Sequence, residues 1–238
     1  MRRALQLATL LVIVAANAMA ATPQEISLRT DDGVVIAGAL YLPGRPGPGL
    51  VLLHALSRTH EDWSAVAPRL ADAGFVVLAI DLRGHGASGP LPEGTTLDDL
   101  TPMLADVRAA RAFLASRREA IPGRVGIAGA SIGANLAILA AATDPTVHSL
   151  ALLSPGIDYR ALRPEAAIKK YGERPALIIA SQEDNYATSS ARQLAVAGPG
   201  IGIRDLRILN GAGHGTAMLA RQPDLASSLV DWFKRTLL

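Results

Sequence analysis

Hydrophobic and polar positions alternate with a period of two over residues 24–30, where Ile26 and Leu28 stand between Ser27 and Arg29. Asp31-Asp32-Gly33 follows with turn chemistry, and an apolar run over 34–42 completes a predicted antiparallel hairpin. A stiff loop of alternating proline and glycine, 43–49, then delivers a strand over 50–54 that is apolar almost throughout. Strands buried on both faces belong to parallel sheets covered by helices. From here the period switches repeatedly. The pattern predicts a helix over 61–73, a strand over 75–81, a helix over 97–117 with Leu100, Leu104, Val107 and Leu114 along one side, and a strand over 124–128. A helix over 131–142, strands over 149–153 and 176–180, a helix over 187–196, a strand over 203–209 and a helix over 223–234 complete the chain. Such alternation predicts one α/β domain with a mostly parallel, doubly wound sheet behind an N-terminal hairpin. Residues 154–173 have room for little more than one short helix.

In open α/β sheets, functional groups gather beyond the carboxyl ends of the strands. That rule selects residues 54–60, residues 81–88, Ser131, Asp184 and His214. Ser131 sits in Gly129-Ala130-Ser131-Ile132-Gly133, a G-x-S-x-G sequence between an apolar strand and an apolar helix. Glycines two residues either side of the serine let the two backbones approach while the serine takes a strained turn. The helix that starts there aims its free N–H groups at the serine's target, with Ile132 N–H where an oxyanion would form. A serine hydroxyl needs a base within reach and a carboxylate to orient that base. His214 lies in the glycine-rich loop Asn210-Gly-Ala-Gly-His-Gly215, and Asp184 ends Ser181-Gln-Glu-Asp184 directly after a strand, with Glu183 as its neighbouring competitor.

The order Ser131, Asp184, His214 resembles that of the α/β-hydrolase superfamily. Leu52-Leu53-His54-Ala55-Leu56 is similar to its oxyanion loop, and Asp81-Leu-Arg-Gly-His-Gly-Ala-Ser88 is similar to its D-x-R-G-x-G-x-S turn. The likeness runs from about residue 24 to the C-terminus and is similar in flavour to the dienelactone-hydrolase-like and serine-aminopeptidase-like branches. It implies an α/β-hydrolase fold with a minimal cap. Ser131, Asp184 and His214 would be catalytic, and Ile132 and Leu56 would supply the oxyanion-hole N–H groups. Ala55 stands where the family's oxyanion loop usually has glycine, which bears on the Leu56 assignment. The resemblance gives Asp81, Arg83 and His85 a structural role.

The first residues change the picture of where the chain acts. Met1-Arg2-Arg3, an apolar run over 4–16 and Ala18-Met19-Ala20 read as a signal peptide over 1–20, cleaved to leave a domain over 21–238 in the periplasm or outside the cell, with no stable membrane anchor. Without Arg2 and Arg3 the chain holds 21 Lys and Arg against 21 Asp and Glu. With basic residues clustered only in pairs, no nucleic-acid partner is expected. The absence of cysteine excludes disulfides and thiolate metal sites. No metal or organic cofactor is required by the chemistry expected, which is hydrolysis of a small-molecule ester, thioester or amide through an acyl-serine. A ligand-binding member of the fold with little turnover and an acyltransferase remain as alternatives, and the sequence leaves substrate and oligomeric state open.

Overall fold

A computed structural model describes residues 22–96, 98–198 and 204–238. The signal peptide expected over residues 1–20 lies outside them. Eight strands form one sheet in the order β1-β2-β4-β3-β5-β6-β7-β8. β1 (Gln24–Arg29) pairs antiparallel with β2 (Val35–Tyr41), and β2 pairs antiparallel with β4 (Val76–Ile80). The rest is parallel: β4 with β3 (Gly47–Leu53), then β5 (Ala120–Ala130), β6 (Val147–Leu153), β7 (Ala176–Ser181) and β8 (Arg204–Leu209). The chain is thus an α/β-hydrolase fold with an N-terminal antiparallel hairpin.

Both faces of the sheet are buried, which explains the continuous apolar runs. Val51 and Leu53 of β3 pack on the face covered by α2 (Leu104–Ala115), α3 (Ile132–Thr143), α4 (Glu165–Tyr171) and α5 (Asn185–Val196). Leu50 and Leu52 pack on the other, under α1 (Ala67–Asp72), α6 (Ala217–Arg221) and α7 (Leu225–Leu237). Two helices are shorter than the periodicity predicts. The helix expected over 61–73 divides into a 3₁₀ turn, His60–Trp63, and α1, and the one expected over 97–117 begins as a 3₁₀ turn, Thr101–Met103, ahead of α2. Pro68 and Pro102 lack the N–H and add the steric clash that bar them from a helix interior, so regular helix starts beside each one.

The hairpin is tied to the sheet by charge. Arg83, fully buried, bonds Asp106 through Nε (2.8 Å) and Asp32 through both terminal nitrogens (2.6 and 3.0 Å). The guanidinium holds the Asp32 carboxyl well below the usual carboxylate range. The β3–β5 neighbourhood matters most for function. From β3 the chain continues to one side as β4, and it returns on the other side as β5. A crevice opens where the winding reverses, between the ends of β3 and β5.

Candidate active site

Ser131 joins β5 to α3 with φ 54° and ψ −116°. A serine in this region stores about 1–3 kcal/mol of strain, which its surroundings must overcome. The serine N–H donates to Leu153 O at 2.8 Å, and its carbonyl accepts from Ala134 N–H (3.0 Å) and Asn135 N–H (3.2 Å). The flanking glycines are required by contact. A Cβ on Gly129 would lie 2.2 Å from Gly133 O, and one on Gly133 would lie 2.5 Å from Leu53 O and 2.7 Å from His54 O. One glycine therefore lets α3 lie against its own strand, and the other lets it lie against β3. Ile132 is the first residue of α3, whose leading N–H groups have no intrahelical acceptor.

His214 reaches the crevice on the loop between β8 and α6, and its Nδ1 lies 2.5 Å from Asp184 Oδ2. His214 and Ser131 line the same cavity. Asp184 also caps α5, its Oδ1 accepting from Ala187 N–H at 3.1 Å. The His214 loop is fixed almost amide by amide. Ser181 Oγ accepts from Ala212 N–H (3.0 Å) and Gly213 N–H (3.1 Å), Glu183 Oε1 accepts from Gly211 N–H (2.6 Å), and Ser154 Oγ accepts from Gly215 N–H (3.0 Å). Ser181 in turn donates to Glu183 Oε2, and this bond with the Gly211 amide holds the Glu183 carboxyl below its ordinary range. Glu183 therefore supports the loop while Asp184 contacts the imidazole.

The loop after β3 packs beside the His214 loop. Ala55 O accepts from Arg58 N–H at 3.2 Å, and Ser57 has φ 59°, so half-buried Leu56 occupies a tight turn. The Ala55 methyl lies beside Gly215; a Cβ there would stand 3.6 Å from it, at ordinary van der Waals contact. Asp62 ties this side to the base loop. Its carboxylate accepts from Thr216 Oγ1 at 2.5 Å and from Arg58. Burial alone would raise Asp62, but the Arg58 and Thr216 bonds outweigh it and hold the carboxyl below its ordinary value.

His54 and His60 are structural partners of the crevice. His54 is fully buried, and its Nε2 accepts from Leu82 N–H (2.9 Å), so Nδ1 carries the proton and donates to Ala55 O (2.7 Å). Burial pushes its imidazole down to about 4; the nearby ring of His85 works in the same direction, while the Ala55 bond and the Asp81 and Asp62 carboxylates oppose it. His60 bonds Asp81 Oδ1 through both its N–H (2.7 Å) and Nδ1 (2.8 Å), and this carboxylate raises it. The two rings thus titrate on opposite sides of the free value near 6.5. Unfolded His54 takes up a proton that the folded ring refuses, so its stabilising contribution is complete above about pH 6.5 and falls by about 3 kcal/mol as pH drops to 4. His54→Gln should lack that slope between pH 6.5 and 4 in denaturant titrations. An equal slope in both proteins would contradict the assignment. His60 acts the other way, its contribution complete below about 6.5 and lost as pH rises through its raised value.

Of the residues selected from sequence, Ser131, Ile132 and His214 line one cavity of about 140 Å³, and Asp184 is bonded to the imidazole; Leu56, in the turn after β3, is not among the residues that line it. Asn135, Ser154, Gly156, Tyr159 and Tyr186 complete the lining. Sequence reading passed over Ser154 and Ser181, the buried anchors of the His214 loop. A signal existed, since each is the polar residue that ends or follows an apolar strand at the functional edge of the sheet.

Comparison with known proteins identifies the family and the fold. Residues 44–174, which include Ser131 and the loop after β3, match the family described as serine aminopeptidase, S33. A thiohydrolase of Aspergillus aculeatus is 30% identical over 166 residues, 67% of this chain and 51% of the relative. The chain spans about half the length of the curated relatives it matches. Among solved structures, an esterase of Pyrococcus furiosus superposes with a TM-score of 0.74 at 18% identity, covering 92% of this chain and 94% of that one. A dienelactone hydrolase from Anabaena variabilis gives 0.71 at 20% identity, covering 92% and 100%. At these identities the structural likeness speaks to the fold. The sheet order, the strained serine between β5 and α3, and the family match over more than half the sequence converge: this chain belongs to the serine aminopeptidase S33 family of the α/β-hydrolase superfamily.

Proposed function

We propose that the protein cleaves an ester, thioester or amide bond of a small molecule through an acyl-serine intermediate. Ser131 Oγ attacks the carbonyl carbon as His214 Nε2 takes its proton, and the carbonyl oxygen becomes an oxyanion facing Ile132 N–H and Leu56 N–H. Collapse breaks the bond to the leaving group, which receives the proton from His214. Water then adds to the acyl-serine, gives its proton to His214, and the ester bond to Oγ breaks as the proton returns to the serine. Asp184 holds the imidazole with its proton on Nδ1 and stabilises the cation formed in each half-reaction.

The observation that carries this reading is the 2.5 Å contact of Asp184 with His214 Nδ1 on the same cavity as a serine held at φ 54°. A binding pocket alone makes no demand for those three residue types together. The relative named a thiohydrolase and the structural neighbours named esterase and dienelactone hydrolase support acyl compounds as the substrate class. Fluorophosphonate labelling is the direct test, with the adduct expected on Ser131. A folded protein that never accepts the probe would return the chain to the ligand-binding reading.

The basic start and the Ala18-Met19-Ala20 exit support export, with cleavage after Ala20. Among the described residues, no helix is long and apolar enough to cross a membrane. Mass spectrometry of protein exported by a bacterial host should find a chain beginning at Ala21; an intact N-terminus held in the membrane would overturn the proposal.

A further inference from the structure

The cavity beside Ser131 has a floor, a rim and a wall with different characters. Asn135, one helical turn beyond the nucleophile, and Ser154 are almost fully buried and form the floor. Tyr159 and Tyr186 are exposed at the rim. The wall is the short segment after β6, and three successive amides of that segment are each bound by a helix side chain. Gly156 N–H donates to Asn135 Oδ1 (2.9 Å), Ile157 N–H to Ser190 Oγ (3.1 Å), and Asp158 N–H to Tyr186 Oη (3.1 Å). Tyr186 also donates to Asp158 O at 2.6 Å. The segment that could have been a lid is therefore strapped to α3 and α5. Its tightest point is Gly156, where a Cβ would lie 3.0 Å from the Tyr186 ring.

A preformed pocket of fixed size implies a size limit. Drug-sized sites run from about 300 Å³ upward, whereas an apolar cavity of about 150 Å³ holds one benzene, roughly six non-hydrogen atoms. At about 140 Å³ this cavity is of the smaller kind. The side chains that line it include no carboxylate, lysine or arginine. A group that leaves between the two half-reactions needs a way out past the rim, while the group that stays on Ser131 can occupy a closed floor.

Resting on the acyl-serine reading, we infer that this cavity is the acyl pocket, that it accepts short uncharged acyl groups of up to about six carbons, and that Tyr186 is the residue that sets the limit. Overfilling a packed pocket by a methylene or more costs about tenfold or more in kcat/KM. Removing the Tyr186 ring opens the rim; removing the Ser190 hydroxyl loosens the strap without touching the lining.

The test combines three measurements on the mature chain. Fluorophosphonate labelling reports whether Ser131 is a nucleophile. p-Nitrophenyl esters from acetyl to decanoyl report the acyl limit, and acetates of alcohols of rising length report the leaving-group side. Wild type should hydrolyse acetyl to hexanoyl esters with similar kcat/KM and the decanoyl ester at least about tenfold more slowly, with little dependence on the alcohol. Tyr186→Ala should bring decanoyl to within about threefold of butanoyl, whereas Tyr186→Phe, which keeps the ring and removes its two strap bonds, and Ser190→Ala should both keep the wild-type limit. A labelled enzyme with no acyl limit, or with a limit on the alcohol instead, would overturn the pocket assignment and leave the nucleophile standing. Equal shifts in Tyr186→Ala and in either of the other two variants would make the strap, not the ring, responsible and overturn the role of Tyr186. If Tyr186→Ala does not fold, the wild-type series still decides the pocket. A chain that neither labels nor hydrolyses any ester would overturn the acyl-serine reading and this inference with it.

Discussion

Ser131→Ala is expected to lower kcat by about 10⁴- to 10⁶-fold while leaving the thermal midpoint nearly unchanged. The two halves of that result have separate physical causes. In the proposed mechanism activity depends on Oγ, the atom that forms and breaks the acyl bond, and the buried serines nearby do not replace it: Ser154 and Ser181 already hold the His214 loop. Stability depends on the serine's backbone, whose N–H bonds Leu153 O and whose carbonyl accepts from α3. Alanine keeps that backbone, its Cβ and the strain at φ 54°, so the turn persists. Residual rate over the uncatalysed reaction should remain, because Ile132 N–H and the pocket are untouched. Paired kcat and thermal-melt measurements check it, and wild-type turnover in the variant would remove Ser131 from the chemistry.

How much of this was legible beforehand follows from where the information lies. The sheet could be read because its strands are buried on both faces, so Leu50 to Leu53 and Ala176 to Ala180 are continuous apolar runs. The nucleophile turn could be read because Gly129 and Gly133 answer a backbone clash that no other residue avoids. Asp184 and His214 could be placed in neighbouring loops by topology, since each follows a strand at the same edge of the sheet, and the structure brings them into contact. Apolar spacing alone overstates two helices, because Pro68 and Pro102 interrupt them at their starts. The supports of the base loop were harder to see, because Ser154, Ser181 and Thr216 are ordinary polar residues whose roles exist only through partners far along the chain. Thr216 meets Asp62 across 154 positions, and no local pattern encodes such a pairing. Tyr186 likewise gains its meaning from Asp158, 28 residues before it.

Asp184→Asn should lower kcat by about 10⁴-fold, while Glu183→Gln should leave it within a fewfold. Adjacent carboxylates on one loop invite confusion, and the structure gives each a different partner. Asp184 Oδ2 meets His214 Nδ1, whereas Glu183 meets Gly211 N–H and Ser181 Oγ. An asparagine at 184 would present an amide donor, or a neutral oxygen, to the ring. Either the imidazole adopts the wrong tautomer, with its proton on Nε2 facing the serine, or its cation loses the charge that stabilises it. The cap of α5 would survive, because asparagine is as good an N-cap as aspartate and its oxygen can still accept from Ala187 N–H. A purely structural role for Asp184 therefore predicts little change in either quantity for this variant, and the catalytic role predicts a collapse in kcat at a nearly constant thermal midpoint. At Glu183, glutamine keeps an oxygen for the Gly211 amide, and the Ala212 and Gly213 bonds to Ser181 do not involve the carboxylate charge. A crippled Glu183→Gln beside an active Asp184→Asn would transfer the acid's role to Glu183, and it would require the His214 loop to turn its imidazole toward the carboxylate that now supports it from below.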